Sequence, residues 1–180
     1  MLTLVLGGAR SGKSQFAQRL AADAQRVCYI ATLLPGDDAE MVARVERHRA
    51  ERPAHWRTIV EPLALADAIE RATADADVVL VDCLTLWLSN LLFEHRDGDS
   101  AQVEDAARQQ IRRIAGATLA CPVILVSNEV GFGPVPESPV TRAFRDAQGR
   151  LNQWVAEIAD AVILVVAGLP LYLKRPEPGR

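Results

Sequence analysis

The chain offers little outside an ordinary hydrophobic core to hold it together. Only three of its 180 residues are cysteine, Cys28, Cys83 and Cys121. An odd, scattered set excludes a disulfide framework and a zinc site of ordinary spacing. Each thiol lies in or beside an apolar run, so all three read as reduced, buried groups in a cytoplasmic protein. Three dispersed histidines, His48, His55 and His95, do not make a metal site either. Neither sign of charge dominates: 20 Lys and Arg stand against 23 Asp and Glu, a net charge of −3. That balance argues against a general nucleic-acid or anionic-membrane binder. The longest apolar stretch, 161–173, contains Gly168 and Pro170 and falls short of the roughly 20 residues of a spanning helix. No signal-peptide pattern stands at the start, where an apolar run leads at once into a glycine-rich loop.

What is present is a globular composition, 49% hydrophobic and 24% charged, which suits one domain over residues 1–180. Short, nearly continuous Val/Ile/Leu runs occupy 2–6, 27–31, 78–81, 123–127 and 161–167. They read as buried parallel strands. Helical patterns lie between them, as in 14–24, where Phe16 and Leu20 fall four apart on one face. Alternating strands and helices predict an α/β fold with a mostly parallel central sheet and helices on both faces. Residues 169–174 follow Gly168 closely and predict a C-terminal antiparallel edge strand. Residues 175–180, with two prolines and a glycine, read as a tail.

The most specific signal is Gly7-Gly8-Ala9-Arg10-Ser11-Gly12-Lys13-Ser14. It satisfies G-x-x-x-x-G-K-[ST] at every fixed position and sits between a strand and a helix. Such a loop turns backbone N–H groups inward around a phosphate chain. Lys13 reaches the terminal phosphates and the Ser14 hydroxyl holds Mg²⁺. The helix N-terminus adds partial positive charge. Nucleoside triphosphate binding follows; the reaction does not, because this loop serves many chemistries.

Three further stretches carry polar chemistry. Val78-Val79-Leu80-Val81-Asp82 is an apolar strand ending in an acid, which places Asp82 to support Mg²⁺ beside Ser14. By itself a strand-end Asp is as well explained as a capping residue. In 37–57, Asp37 and Glu40 resemble a capping box, and Met41, Val45 and His48 share one helix face. Arg44, Arg47, Arg49 and Arg52 surround His48. Neighbouring guanidinium groups disfavour protonation of the imidazole, and a neutral imidazole is a competent nucleophile. The alternative is a solvated basic helix face with His48 as bystander, and composition alone leaves the two open. His55 and His95 lack such a setting. Lastly, Val126-Ser127-Asn128-Glu129-Val130-Gly131 runs from a strand into a polar turn, a plausible site loop. Arg142 and Arg145 beyond it could grip a phosphorylated substrate or form surface ion pairs.

Together these segments resemble the bifunctional adenosylcobinamide kinase/adenosylcobinamide-phosphate guanylyltransferase family. The resemblance rests on Gly7–Ser14, on Tyr29-Ile30-Ala31-Thr32, on Arg44-Val45-Glu46-Arg47-His48 and on Arg52-Pro53-Ala54-His55-Trp56-Arg57-Thr58. It continues through Asp82-Cys83-Leu84-Thr85, Asn90-Leu91-Leu92 and Asn128-Glu129-Val130-Gly131. Phe144-Arg145-Asp146 and Gly149-Arg150-Leu151-Asn152-Gln153 complete it. The resemblance implies a RecA-like P-loop fold and two reactions. Adenosylcobinamide is phosphorylated from ATP or GTP, and GMP is then transferred from GTP to give adenosylcobinamide-GDP. It also implies a guanylyl-histidine intermediate, on His48 here, with Arg47 where some relatives have a second histidine. The implied nucleotide contacts are Gly7, Gly8, Ala9, Arg10, Ser11, Gly12, Lys13, Ser14, Thr32, Leu33, Leu34, Arg49, Ala50, Glu51, Arg52, Glu61 and Asp82. Lys13 and His48 would be catalytic, Ser14 and Asp82 would hold Mg²⁺, and the protein would be a homo-oligomer, a trimer by preference.

Two other readings compete. One is a small-molecule P-loop kinase without nucleotidyl transfer, from which His48 distinguishes the chain. The other is a nucleotide-driven switch or a nucleic-acid motor. Asn128 is followed by Glu129 rather than the lysine of a guanine-reading Asn-Lys-x-Asp motif, and the acidic balance disfavours a nucleic-acid groove.

Overall fold

A computed structural model describes residues 1–33, 52–95 and 100–176. Seven strands form one sheet in the order β3-β2-β4-β5-β1-β6-β7. They are β1 (Leu2–Gly7), β2 (Val27–Ala31), β3 (Arg57–Val60), β4 (Val78–Asp82), β5 (Val123–Asn128), β6 (Ala161–Val166) and β7 (Leu169–Lys174). The helices are α1 (Lys13–Ala21), α2 (Leu65–Thr73), α3 (Leu84–Glu94), α4 (Ser100–Gly116) and α5 (Pro139–Ile158). All strand pairs are parallel except β6–β7. The predicted fold class and the antiparallel edge are both observed.

Alternation along the strands sorts their side chains onto two faces. Leu4 and Leu6 of β1, Val79 and Val81 of β4 and Leu125 of β5 point to one face. There they bury against Leu65 and Ile69 of α2, Trp87 and Leu88 of α3, Ile111 of α4 and Leu151 of α5. Val5, Leu80, Val126 and Ile163 point to the other, against Phe16, Ala17 and Ala21 of α1. Each fully buried large aliphatic contributes about 1.5–3 kcal/mol relative to exposure. Of the two residues expected to share a face of α1, Phe16 packs on the sheet and Leu20 does not. Leu20 is 43% exposed, and the small Ala17 and Ala21 let the helix lie close on the sheet.

β3 is not apparent as an apolar run. Arg57, Thr58 and Val60 are exposed and Ile59 is half-buried. An edge strand covered weakly on both sides needs no hydrophobic alternation, so its pattern is missing from the sequence. The remaining strand boundaries move by a residue: β1, β4 and β5 each extend one residue further, to Gly7, Asp82 and Asn128, and β6 stops at Val166.

The β6–β7 hairpin closes through a two-residue turn, with Val166 paired to Leu169. Both turn residues have positive φ, Ala167 at 51° and Gly168 at 79°, as a type I′ turn requires. The turn touches the glycine-rich loop. Gly168 N–H donates to the Ser11 carbonyl at 2.8 Å, and a Cβ on Gly12 would stand 3.2 Å from the Gly168 Cα. A side chain on Gly7 would press on the Val165 carbonyl at 2.7 Å. The loop geometry thus depends on bare backbone on both partners.

All three cysteines are buried and unpaired. Burial pushes the Cys83 thiol up to about 11, with the neighbouring Asp82 charge acting in the same direction. It is a protonated, inert group at neutral pH. Two outcomes are expected. Iodoacetamide at pH 8 should leave Cys83 of the native protein unlabelled and label it in urea; native labelling as fast as that of a free thiol would contradict the assignment. Second, Ala167 is exposed and occupies a left-handed conformation that costs a non-glycine residue roughly 1–2 kcal/mol. Ala167→Asn, which tolerates that conformation, should raise the urea unfolding free energy by about 0.5–1 kcal/mol. An unchanged or lowered midpoint would refute this.

Candidate nucleotide site

The carboxyl ends of β1, β5, β4 and β2 form one edge, and strand register lines up the predicted site on it. Gly7 pairs with Asn128, Asp82 pairs with Val126 on β5, and Ala31 pairs with both Asp82 and Val60. With strands about 4.8 Å apart, β1 and β4 are separated by about 10 Å across β5. The loop after β1 and the acid ending β4 therefore stand on the same edge, one strand apart.

Residues 7–14 form a compact loop. Ser11 N–H donates to the Gly8 carbonyl at 3.2 Å, and Phe16 N–H donates to the Gly12 carbonyl at 2.9 Å. Gly12 is the N-cap of α1 with φ of 90°, so it has no side chain to cap the helix, and the first turn carries no acid. The cap residue thus brings no acceptor of its own to the first turn, and the positive end of the helix dipole lies at the loop. Lys13 Nζ reaches back over the loop to the Gly8 carbonyl at 3.2 Å. The Ser11 hydroxyl is buried without a hydrogen-bond partner. Arg10 takes a positive φ of 57° and is exposed beside exposed Ala9. A tight glycine-rich turn, a helix N-terminus and a lysine brought together are the chemical setting of an anion site.

Asp82 ends β4 half-exposed. One carboxylate oxygen, Oδ2, accepts a hydrogen bond from the Tyr29 hydroxyl at 2.9 Å. Burial raises the Tyr29 phenol well above its ordinary range and the Asp82 charge adds to this, so it stays a donor. A hydroxyl and a carboxylate are hard oxygen donors. Mg²⁺ takes one or two such protein oxygens and completes its octahedron with phosphates and water. The Ser14 and Asp82 donor set fits that ion. Among the described residues, no group of three or more His, Cys, Asp or Glu builds a metal cage from protein alone.

Thr32 follows β2 and is fully buried. Its hydroxyl donates to the Cys83 carbonyl at 2.7 Å and accepts from Cys83 N–H at 3.0 Å. Asn90 Nδ2 donates to the Thr32 carbonyl at 2.6 Å. The side chain therefore latches β2 to the turn after β4 and does not face the edge. Leu33 is half-buried next to it. Glu61 lies just past β3. Its Oε1 accepts the N–H groups of Leu63 and Ala64 at 3.1 and 2.8 Å, and Oε2 lies 4.0 Å from Arg71. It thus organises the start of α2. Arg52 is half-buried, with its guanidinium carbon 3.6 Å from the centre of the Tyr29 ring. Leu34, His48, Arg49, Ala50 and Glu51, and the capping box at Asp37 and Glu40, lie outside the described residues. His55 and His95 are exposed.

Arg142 and Arg145 both make local contacts. Both lie within α5. Arg142 Nη1 donates to the carbonyls of Pro136 and Glu137 at 2.9 and 2.6 Å, fixing the proline-rich approach to its own helix. Arg145 Nε lies 3.6 Å from Asp146 Oδ1.

Several residues of the quoted segments contribute through contacts that their spacing did not reveal. Thr85 Oγ1 accepts Asn128 N–H at 2.8 Å, and Asn152 Nδ2 donates to the Asn128 carbonyl at 3.0 Å. Glu129 N–H donates to the Gly7 carbonyl at 3.0 Å. Behind them Ser127, Gln148 and Asn152 form a buried network: the Ser127 hydroxyl donates to Asn152 Oδ1 at 2.6 Å, and Gln148 Nε2 donates to Ser127 at 2.9 Å. These contacts set the end of β5 between the loop and Asp82. A polar residue on a buried strand or helix face was the available hint.

Two solved structures resemble the fold. A prototypical ATPase from the type III secretion system of pathogenic bacteria superposes with a TM-score of 0.55 at 13% identity, covering 95% of this chain and 56% of that one. A protein from Pyrococcus horikoshii OT3 superposes with a TM-score of 0.58 at 8% identity, over 98% and 87%. Among curated proteins, the bifunctional adenosylcobalamin biosynthesis protein CobP of Pseudomonas aeruginosa is 49% identical over 175 residues, 97% of this chain and 98% of that one. The bifunctional adenosylcobalamin biosynthesis protein CobU of Escherichia coli K12 is 44% identical over 182 residues, 97% and 100%. The model of the cobinamide kinase / cobinamide phosphate guanyltransferase family matches residues 3–173. A match of that extent, over a chain whose phosphate loop and Asp82 share one sheet edge, makes this chain a member of that family.

Proposed function

We infer that this chain is a bifunctional cobinamide kinase and cobinamide-phosphate guanylyltransferase of adenosylcobalamin biosynthesis. The observation that carries the reading is the glycine-capped, acid-free N-terminus of α1 at Lys13, in a chain matching that family almost end to end. ATP or GTP supplies the phosphoryl group and GTP the guanylyl group.

In the first reaction the aminopropanol hydroxyl of adenosylcobinamide attacks the γ-phosphorus. A new P–O bond forms, the bond to the β-phosphate oxygen breaks, and the nucleoside diphosphate leaves. Such transfer needs positioning and charge stabilisation more than covalent catalysis. The backbone donors of Gly7, Gly8, Ala9, Arg10, Ser11 and Gly12 hold the phosphates, and Lys13 balances the charge that develops on them. In the second reaction an imidazole nitrogen of His48 attacks the α-phosphorus of GTP, and pyrophosphate leaves into the same donors. The phosphate oxygen of adenosylcobinamide phosphate then attacks the α-phosphorus, the N–P bond breaks, and adenosylcobinamide-GDP leaves with His48 free again. Mg²⁺, when bound through Ser14 and Asp82, supplies further charge neutralisation to the phosphates.

The remaining nucleotide contacts are proposed at Leu33, Leu34, Arg49, Ala50, Glu51 and Arg52. Thr32 and Glu61 contribute by shaping the wall, since the Thr32 hydroxyl and Glu61 Oε1 are engaged with backbone. The chain acts as a single domain over 1–180 and as a cytoplasmic homo-oligomer, a trimer. Buried free thiols suit that compartment, and no helix among the described residues is long and apolar enough to cross a membrane.

Incubation with α-labelled GTP should give a labelled protein stable in alkali and labile in acid. His48→Ala should take no label and should convert adenosylcobinamide only as far as its phosphate, read by mass. Equal labelling of His48→Ala would refute the nucleophile. Lys13→Ala should slow both reactions by about 100-fold or more, and a loss confined to one reaction would show that the loop serves only that one.

A further inference from the structure

We propose that Tyr29 is a positioning residue for Asp82: its buried hydroxyl holds one carboxylate oxygen so that the other is presented to the metal–nucleotide complex. The proposal rests on the reading of Asp82 as metal support. Tyr29 sits in the middle of β2, paired with Leu80, on the face that α1 covers. It is 2% exposed, and its ring packs in the cluster with Leu80 and Cys83. A phenylalanine would supply that packing equally well. The hydroxyl instead reaches the carboxyl edge and donates to Asp82 Oδ2 at 2.9 Å.

Among the described residues no second side chain restrains Asp82 in this way. Its Oδ1 accepts no hydrogen bond from the described residues, and none of the ion pairs among them includes it. A half-exposed carboxylate held at a single oxygen is fixed in rotation yet keeps a free ligand atom. Outer contacts of this type orient metal ligands, and their loss typically costs 10–100-fold in metal affinity. Arg52 packs on the ring, with its guanidinium carbon 3.6 Å from the ring centre, and its Nε is buried with no hydrogen-bond partner among the described residues. The guanidinium thus lies against the aromatic face, a stabilising arrangement when desolvated. Arg52, Tyr29 and Asp82 form a stack that ends at the site.

The test measures Mn²⁺ affinity by electron paramagnetic resonance in the presence of guanosine α,β-methylene triphosphate, which cannot release pyrophosphate. Tyr29→Phe should weaken Mn²⁺ binding about 10-fold or more while leaving metal-free binding of the analogue unchanged. Asp82→Asn should weaken it at least as much, and the double variant should be no weaker than Asp82→Asn alone, because the two act as a unit. A Tyr29→Phe affinity within about twofold of wild type, beside a weakened Asp82→Asn, overturns the role of Tyr29 and spares Asp82. Additive losses in the double variant also overturn it. An unaffected Asp82→Asn removes the metal-support reading and the proposal with it. If Tyr29→Phe fails to fold, wild-type protein carrying ¹³Cζ-tyrosine answers the question, since Tyr29 and Tyr172 are its only tyrosines. The Tyr29 signal should shift on adding Mg²⁺ to the analogue complex and the Tyr172 signal should not; a Tyr29 signal that stays in place overturns the proposal.

Discussion

An α-helix leaves its first N–H groups without intrahelical partners, and at α1 the cap residue has no side chain to supply one. Gly12 occupies the cap position with nothing to offer, and no acid follows in the first turn. Elsewhere in a fold such an end would be a defect to be repaired by Ser, Asp or Thr. Here a bare cap suits an anion. The loop closes on itself through Ser11 and Gly8, and Lys13 folds back across it. The β6–β7 turn braces it from outside by backbone contact alone, Gly168 against Ser11 and Gly12. That brace explains why the hairpin accepts a positive φ at Ala167: a tight two-residue turn brings Gly168 against the loop.

The acid ending β4 depends on a second layer of contacts reaching across the sheet edge. Tyr29 holds the Asp82 side chain from β2, and Thr32 exchanges two hydrogen bonds with the Cys83 backbone. Asn90 of α3 ties down the Thr32 carbonyl. Thr85, at the start of the same helix, accepts the Asn128 N–H on the neighbouring strand. Polar side chains buried in this way are costly unless satisfied. Their concentration at the carboxyl edge fixes the loop ends there.

Much of this was legible along the chain. Buried parallel strands are continuous apolar runs, so β1, β2, β4, β5 and β6 stood out, and the phosphate-loop pattern identified its own strand and helix. β3 did not, because an edge strand with three exposed residues has no hydrophobic period to read. Leu20 misled because the helix packs through alanines, whose small size permits close approach but carries little hydropathy. Thr32, Glu61 and Arg142 were read as ligand contacts or possible ones. Their polar atoms are engaged with nearby backbone, and such a choice of partner depends on which strands become neighbours.

The sequence by itself determined the chemistry that is local in the chain: a nucleotide-binding loop between strand and helix, an acid at a strand end, a parallel α/β layout, and the family. These follow from residue type and spacing within a dozen positions, where backbone geometry is set by neighbours along the chain. Only the tertiary structure decided which distant residues serve that chemistry. Tyr29 meets Asp82 from 53 positions away, and Gly168 meets Ser11 from the far end of the chain. Both contacts arise from strand order and register, which bring the ends of β1, β5, β4 and β2 to one edge. Neither is encoded in any local pattern.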